Sequence, residues 1–194
     1  MVTESHRNAC RKVFHRVKKA FYLCNSVKTL SYSVSTKCRK TSLLNILQKE
    51  ALIKAANFCA YQERTQKEVR TKLAELEVIG DESEEIIAWL IENNYLNEER
   101  FARIFAGSKF RQKKWGRIKI RQELKMRGVS DYCLRAGMSE IDGDDYMETL
   151  QTIIEKKSRE VKESNPLIKK QKLVKYALSK GFEQDLVFDV VRKM

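Results

Sequence analysis

Punctuation constrains this chain more than any other feature: a single proline, Pro166, and seven glycines interrupt 194 residues. A sheet protein of this size needs a turn roughly every eight to twelve residues and spends Gly, Pro, Asn and Asp on them. Helices joined by short breaks need far fewer. The apolar spacing agrees. Leu43, Leu44, Leu47, Ala51, Ala55, Phe58 and Cys59 recur at intervals of three and four, as one buried helical stripe requires. Thr65, with Glu68 three residues on, reads as a capping box opening a second helix with Val69, Leu73 and Leu76 on its apolar face. A third helix, capped at Ser83, carries Ile86, Ile87, Leu90 and Ile91.

The same grammar is written twice more. Asn97 caps a helix holding Phe101, Ile104 and Phe105; a break at Trp115-Gly116 leads to Ile120 and Leu124, and Ser130 starts a short helix with Cys133, Leu134 and Met138. The third round begins near Asp144 with Met147, Leu150, Ile153 and Ile154, restarts at Pro166 with Leu173, Ala177 and Leu178, and closes on Leu186, Val187 and Val190. Each middle helix stops at a glycine, Gly80, Gly128 or Gly181, so the period is about fifty residues. The fold expected is all-α: three tandem three-helix repeats, 41–94, 95–140 and 141–194, forming an elongated, curved array. Three short helices bury too little alone, so neighbouring repeats must lean on one another. A single irregular bundle is the competing reading.

Residues 1–40 are different in kind. They hold ten Lys/Arg against one acid, Glu4, while the rest of the chain holds 29 basic and 25 acidic groups. A basic, disordered extension is expected there, with a nucleic-acid-binding arm and an organelle transit peptide as alternatives. His6, Cys10 and His15 match no usual zinc spacing. The five cysteines form no C-x-x-C pair and are odd in number, which fits a reducing cytosol better than a disulfide framework. No apolar run is long enough to span a bilayer.

Few of the usual catalytic parts are present. After residue 40 there is no histidine, no glycine-rich phosphate loop and no metal-ligand spacing. We therefore expect no enzyme, no metal and no cofactor. What remains is charge pattern. From Glu75 to Glu99 there are nine acids and no Lys or Arg; from Arg100 to Arg127 there are eleven basic residues and one acid, Glu123. Arg117, Arg121 and Lys125 recur at every fourth position and would share one helix face. Lys113 and Lys114 precede that helix, whose free N-terminal amides would also favour an anion. With Arg103, Arg111 and Lys119, these cations suit a phosphate backbone, and Trp115 and Phe110 could stack on bases. The bland alternative is that Trp115 wedges between repeats and the charges keep the chain soluble. A second basic stretch, Lys156 to Lys180, could extend the track.

The middle repeat is also specific. Tyr95-Leu96-Asn97-Glu98-Glu99-Arg100-Phe101-Ala102, followed by Trp115-Gly116-Arg117-Ile118-Lys119-Ile120-Arg121-Gln122-Glu123-Leu124-Lys125-Met126-Arg127-Gly128-Val129, resembles the signature of the RecX regulatory family. The resemblance runs over about residues 50–194 and is strongest across 94–129. It implies three tandem three-helix repeats in a cytoplasmic protein, which we expect to be a monomer. It also implies binding to the RecA recombinase and its filament on single-stranded DNA, with filament growth, ATPase and strand exchange held back. The first repeat departs from the family pattern, with Glu77 where a glycine is expected and Gly80 arriving late. A stand-alone DNA- or RNA-binding module is the alternative function, and a purely protein-binding scaffold a third.

Overall fold

The computed structural model describes residues 46–193, so the expectations for residues 1–40 and the start of the first stripe fall outside the described residues. Every element among the described residues is a helix. The chain forms two compact units, divided between Asn97 and Glu98.

The first unit contains α1 (Ile46–Tyr61), α2 (Gln66–Ala74) and α3 (Asp81–Glu92). Ala51, Leu52, Ala55, Ala56 and Cys59 of α1 pack on Val69 and Leu73 of α2 and on Ile86, Ile87 and Leu90 of α3. The Thr65 capping box forms as expected: the Glu68 amide donates to Thr65 Oγ1 at 3.2 Å, and the Thr65 amide donates to Glu68 Oε2 at 3.3 Å. Ser83 is not the cap of α3. The helix starts two residues earlier, after Gly80, and the Ser83 hydroxyl donates to the Gly80 carbonyl at 2.8 Å. Leu96 belongs to this core, and Tyr95 stacks on Trp89 with ring centres 5.7 Å apart.

The second unit contains α4 (Glu98–Lys113), α5 (Arg117–Met126), α6 (Asp131–Met138), α7 (Gly143–Glu160), α8 (Pro166–Lys180) and α9 (Gln184–Lys193). One continuous core runs from Phe101, Ala102 and Phe110 through Ile120 and Leu124 to Leu150, Ile154, Leu173, Phe182 and Val187. The second and third repeats are thus fused through a shared core. Ala102 is fully buried against Gly137 of α6, where an added Cβ would fall 2.8 Å from the Ala102 carbonyl oxygen.

All three middle helices end by the same backbone device, and it corrects the placement in the first repeat. After α5, the Val129 amide reaches back to the Leu124 carbonyl across a left-handed Gly128 (φ 77°); after α8, Phe182 reaches Ala177 across Gly181 (φ 89°). In the first repeat Val78 reaches Leu73 across Glu77, at φ 62°. Val78, Val129 and Phe182, each buried, drop back into the core as the hydrophobic partner of this closure. The left-handed position that closes α2 is therefore Glu77, not Gly80, which also has a positive φ (70°) but serves as the residue before α3. A residue with a Cβ pays about 1–2 kcal/mol to occupy that region. Glu77 is exposed, so Glu77→Gly should raise the stability of the first unit by roughly 1 kcal/mol, visible as a higher urea midpoint at unchanged slope. A lower midpoint would show that the Glu77 side chain does something its backbone conformation does not reveal.

Candidate nucleic-acid interface

The site begins at the elbow between α4 and α5. Lys114 takes a left-handed conformation (φ 52°), which turns the chain from α4 into α5, with Gly116 as the residue before the new helix. The α5 N-terminus is built against the end of α8. The Gly116 amide donates to the Lys180 carbonyl at 2.9 Å, and the Ile118 amide donates to the Gly181 carbonyl at 3.0 Å. The Arg117 amide donates to the Tyr146 hydroxyl at 3.1 Å. These are the amides that sequence reasoning left free for an anion. They are spent inside the protein, because a helix start placed against a helix end satisfies orphan donors and orphan carbonyls together.

Tyr146 is the hub of this junction and was not singled out by the sequence. Its ring is buried between Phe110 and Phe182, with centres 5.9 and 5.0 Å away, and the Arg117 guanidinium lies 4.4 Å over it. Its hydroxyl donates to a Glu183 carboxylate oxygen. Burial first, then this bond to Glu183, pushes the phenol well above the usual tyrosine range. It stays a neutral donor at any working pH.

The nine candidate residues divide into two groups. Four are engaged in the fold. Arg103 is clamped by Glu99 at 2.9 Å and Glu140 at 2.8 Å, and the hydrogen bonds to Glu140 and Glu99 raise its pKa further. Arg117 donates to the Ile141 carbonyl at 3.1 Å besides covering Tyr146, so it does not stand on an open face with Arg121 and Lys125. Lys119 donates to the Ser179 carbonyl at 3.4 Å and lies 4.9 Å over the Trp115 ring, and Lys109 approaches the same ring at 5.6 Å. Trp115 is half-buried against the core of the second unit. Its indole serves its own lysines and its own core first.

The remaining five face solvent. Arg111, Lys113 and Lys114 ring the elbow, and Arg121 and Lys125 lie on the exposed side of α5. Among the described residues Lys113, Lys114 and Arg121 have no ion pair, and Lys125 has only a distant one to Asp131 at 3.9 Å. The Arg111 guanidinium packs across Gly107, where an added Cβ would fall 2.7 Å from it. Ile120 and Leu124, both fully buried, fix the direction of α5 and so aim Arg121 and Lys125 outward. No group of His, Cys, Asp or Glu able to hold a metal occurs among the described residues. None of the described helices is long and apolar enough to cross a membrane.

Family models for the first, second and third three-helix domains of RecX match residues 51–90, 97–138 and 144–191 respectively. The chain belongs to the RecX family. The regulatory protein RecX of Clostridium perfringens (strain 13 / Type A) is 36% identical over 133 residues, covering 68% of this chain and 62% of that relative. The chain thus spans less than two thirds of this relative's length. The regulatory protein RecX of strain SM101 of the same species is 31% identical over 168 residues, covering 80% of this chain and 78% of the relative. The crystal structure of RecX from Lactobacillus salivarius superposes with a TM-score of 0.71 at 25% identity, over 77% of this chain and 97% of the other. The fold implied by the resemblance, three tandem three-helix domains, is the fold found.

Proposed function

We propose that the chain is a regulator without catalytic activity of its own, which binds a RecA-type recombinase filament on single-stranded DNA in the cytoplasm and limits its growth. It acts as a monomer. The observation that supports this best is the group of exposed, unneutralised cations on α4, α5 and the elbow between them in the middle RecX domain: Arg111, Lys113, Lys114, Arg121 and, loosely paired, Lys125. They belong to a stretch with eleven basic residues and one acid, Glu123, between Arg100 and Arg127, a density beyond what solubility asks and suited to a phosphate backbone. Helix α3 of the first unit carries the opposite sign of charge. Asp81, Glu82, Glu84 and Glu85 are exposed on α3, with Glu84 held by Arg70 at 2.6 and 3.0 Å. A basic recombinase surface would read that helix and set the orientation of binding.

Five phosphate contacts on single-stranded DNA predict a slope of log K against log salt of about −3 to −4. Oligothymidylate titrations at several salt concentrations measure it, and a slope near zero removes DNA from the mechanism. The recombinase itself is tested by its DNA-dependent ATPase: substoichiometric amounts of this chain should inhibit. A steep salt slope with no ATPase effect would leave a stand-alone nucleic-acid-binding module in its place.

A further inference from the structure

The third repeat carries an apolar surface that its own core does not use. α8 has two apolar stripes. Leu173 and Ala177 point into the core and are closed to solvent, whereas Leu167 and Leu178 stand outward, 71% and 39% exposed. α9 behaves likewise, with Val187 and Val190 buried and Phe188 43% exposed. Between the helices these outward residues, with Val174, enclose an open groove of about 670 Å³. Large apolar side chains gathered in a groove mark an interaction surface rather than scattered surface exposure.

The rim says what kind of partner. Lys170, Lys175 and Arg192 border the groove, and no carboxylate among the described residues lines it. Nearby cations of the same repeat are neutralised, Lys172 by Glu163 and Lys157 by Glu160 at 3.0 Å. The three rim cations have no ion pair among the described residues. We propose that this groove docks an acidic amphipathic helix of a partner protein. Such a helix lays two or three apolar side chains on Leu167, Val174, Leu178 and Phe188, and sets its carboxylates against the three cations. A nucleic-acid strand would meet the cations but leave the apolar floor uncovered. The chain's own N-terminal segment, with ten Lys/Arg against Glu4, brings the wrong sign of charge. The assignment is independent of the recombinase reading.

The test uses the full chain and two fluorescein-labelled helical peptides of about 18 residues. Both carry Leu and Phe at i, i+4, i+7 and i+11; one has glutamates on its polar face, and its twin has lysines at the same positions. The acidic peptide should bind at least tenfold more tightly than the lysine twin in anisotropy titrations at moderate salt. Leu178→Ser and Phe188→Ser should each weaken it tenfold or more, and the pair Lys170→Glu and Arg192→Glu should reverse the preference between the twins. The charge variants are fully on the surface, so they remain informative if an apolar variant loses its fold in a thermal melt. The proposal is overturned by equal binding of the twins, by no binding, by indifference to the groove variants, or by displacement of the peptide with oligothymidylate. None of these readings involves recombinase, so their failure and that of the filament reading are separate events.

Discussion

Gly116→Ala is expected to cost the second unit roughly 3–5 kcal/mol, far more than a glycine-to-alanine change usually does. An alanine Cβ at this position would fall 2.1 Å from the Gly181 carbonyl oxygen and 2.4 Å from the Phe182 amide nitrogen. Both are backbone atoms, so no side-chain rotation relieves the overlap; α5 and the end of α8 must separate. Separation forfeits the Gly116–Lys180 and Ile118–Gly181 hydrogen bonds, at about 1 kcal/mol each. The overpacking adds about 1–3 kcal/mol. Gly181→Ala meets the same crossing from the other side, with its Cβ 2.3 Å from that of Lys119 and a left-handed φ of 89° in addition. Because both changes open one junction, the double variant should be little worse than the worse single one, a clear failure of additivity. Gly143→Ala is the control: its Cβ meets nothing within 4 Å, so its stability should stay level or rise slightly. Urea unfolding followed by Trp115 fluorescence, in a Trp89→Phe background, isolates the second unit, since the chain has two tryptophans, one in each unit. Losses under 1 kcal/mol that add in the double variant would mean that the crossing does not hold the repeats together.

That junction marks where the sequence stopped being legible. Within one helix most of the reading held, but Ile91, Ile104 and Leu178, expected on the buried stripes, stand 45%, 53% and 39% exposed at the stripe edges. Periodicity placed Ile120, Leu124, Leu173 and Ala177 inward, the capping box at Thr65 formed, and Pro166 sits at the first position of α8 as its missing N–H requires. These outcomes depend on residues a few positions apart. The Gly116–Gly181 crossing joins positions in different repeats, and no local pattern announces it. Its consequences were missed with it: the spent amides of α5, the hub at Tyr146, and the conversion of Arg117 from surface cation to the cover of a buried ring. One signal was available. Trp115-Gly116 belongs to the stretch that resembles the family signature, and close approach of another backbone is one of the reasons for a glycine at such a position. Glu77 shows the opposite failure. Glycine was used as the marker of a helix end, but the hydrogen-bond pattern, closed by Val78, imposes the left-handed turn whether or not a glycine is there to ease it.

The division among the cations gives the second large effect. Replacing Lys113, Lys114, Arg121 and Lys125 together by alanine should lower the affinity for single-stranded DNA by on the order of a hundredfold near 0.15 M salt, because each lost phosphate contact removes about 0.7 from the salt slope. The slope itself should flatten by close to 3. Stability should not change by more than about 0.5 kcal/mol, since these side chains are exposed and at most loosely paired. Arg117→Ala should do the reverse. It uncovers the Tyr146 ring and removes the bond to the Ile141 carbonyl, costing about 1–3 kcal/mol of stability. At temperatures where the fold persists, it should leave the salt slope almost unaltered. Arg103→Ala, which releases Glu99 and Glu140, belongs with Arg117 in leaving the slope alone. Parallel salt titrations and urea melts of the quadruple and single variants therefore separate two explanations of one basic cluster. If Arg117→Ala flattens the slope as steeply per residue as the quadruple change does, the guanidinium leaves its place over Tyr146 when DNA arrives. The α5 face would then be the continuous stripe that its fourfold spacing suggested, assembled only in the bound state.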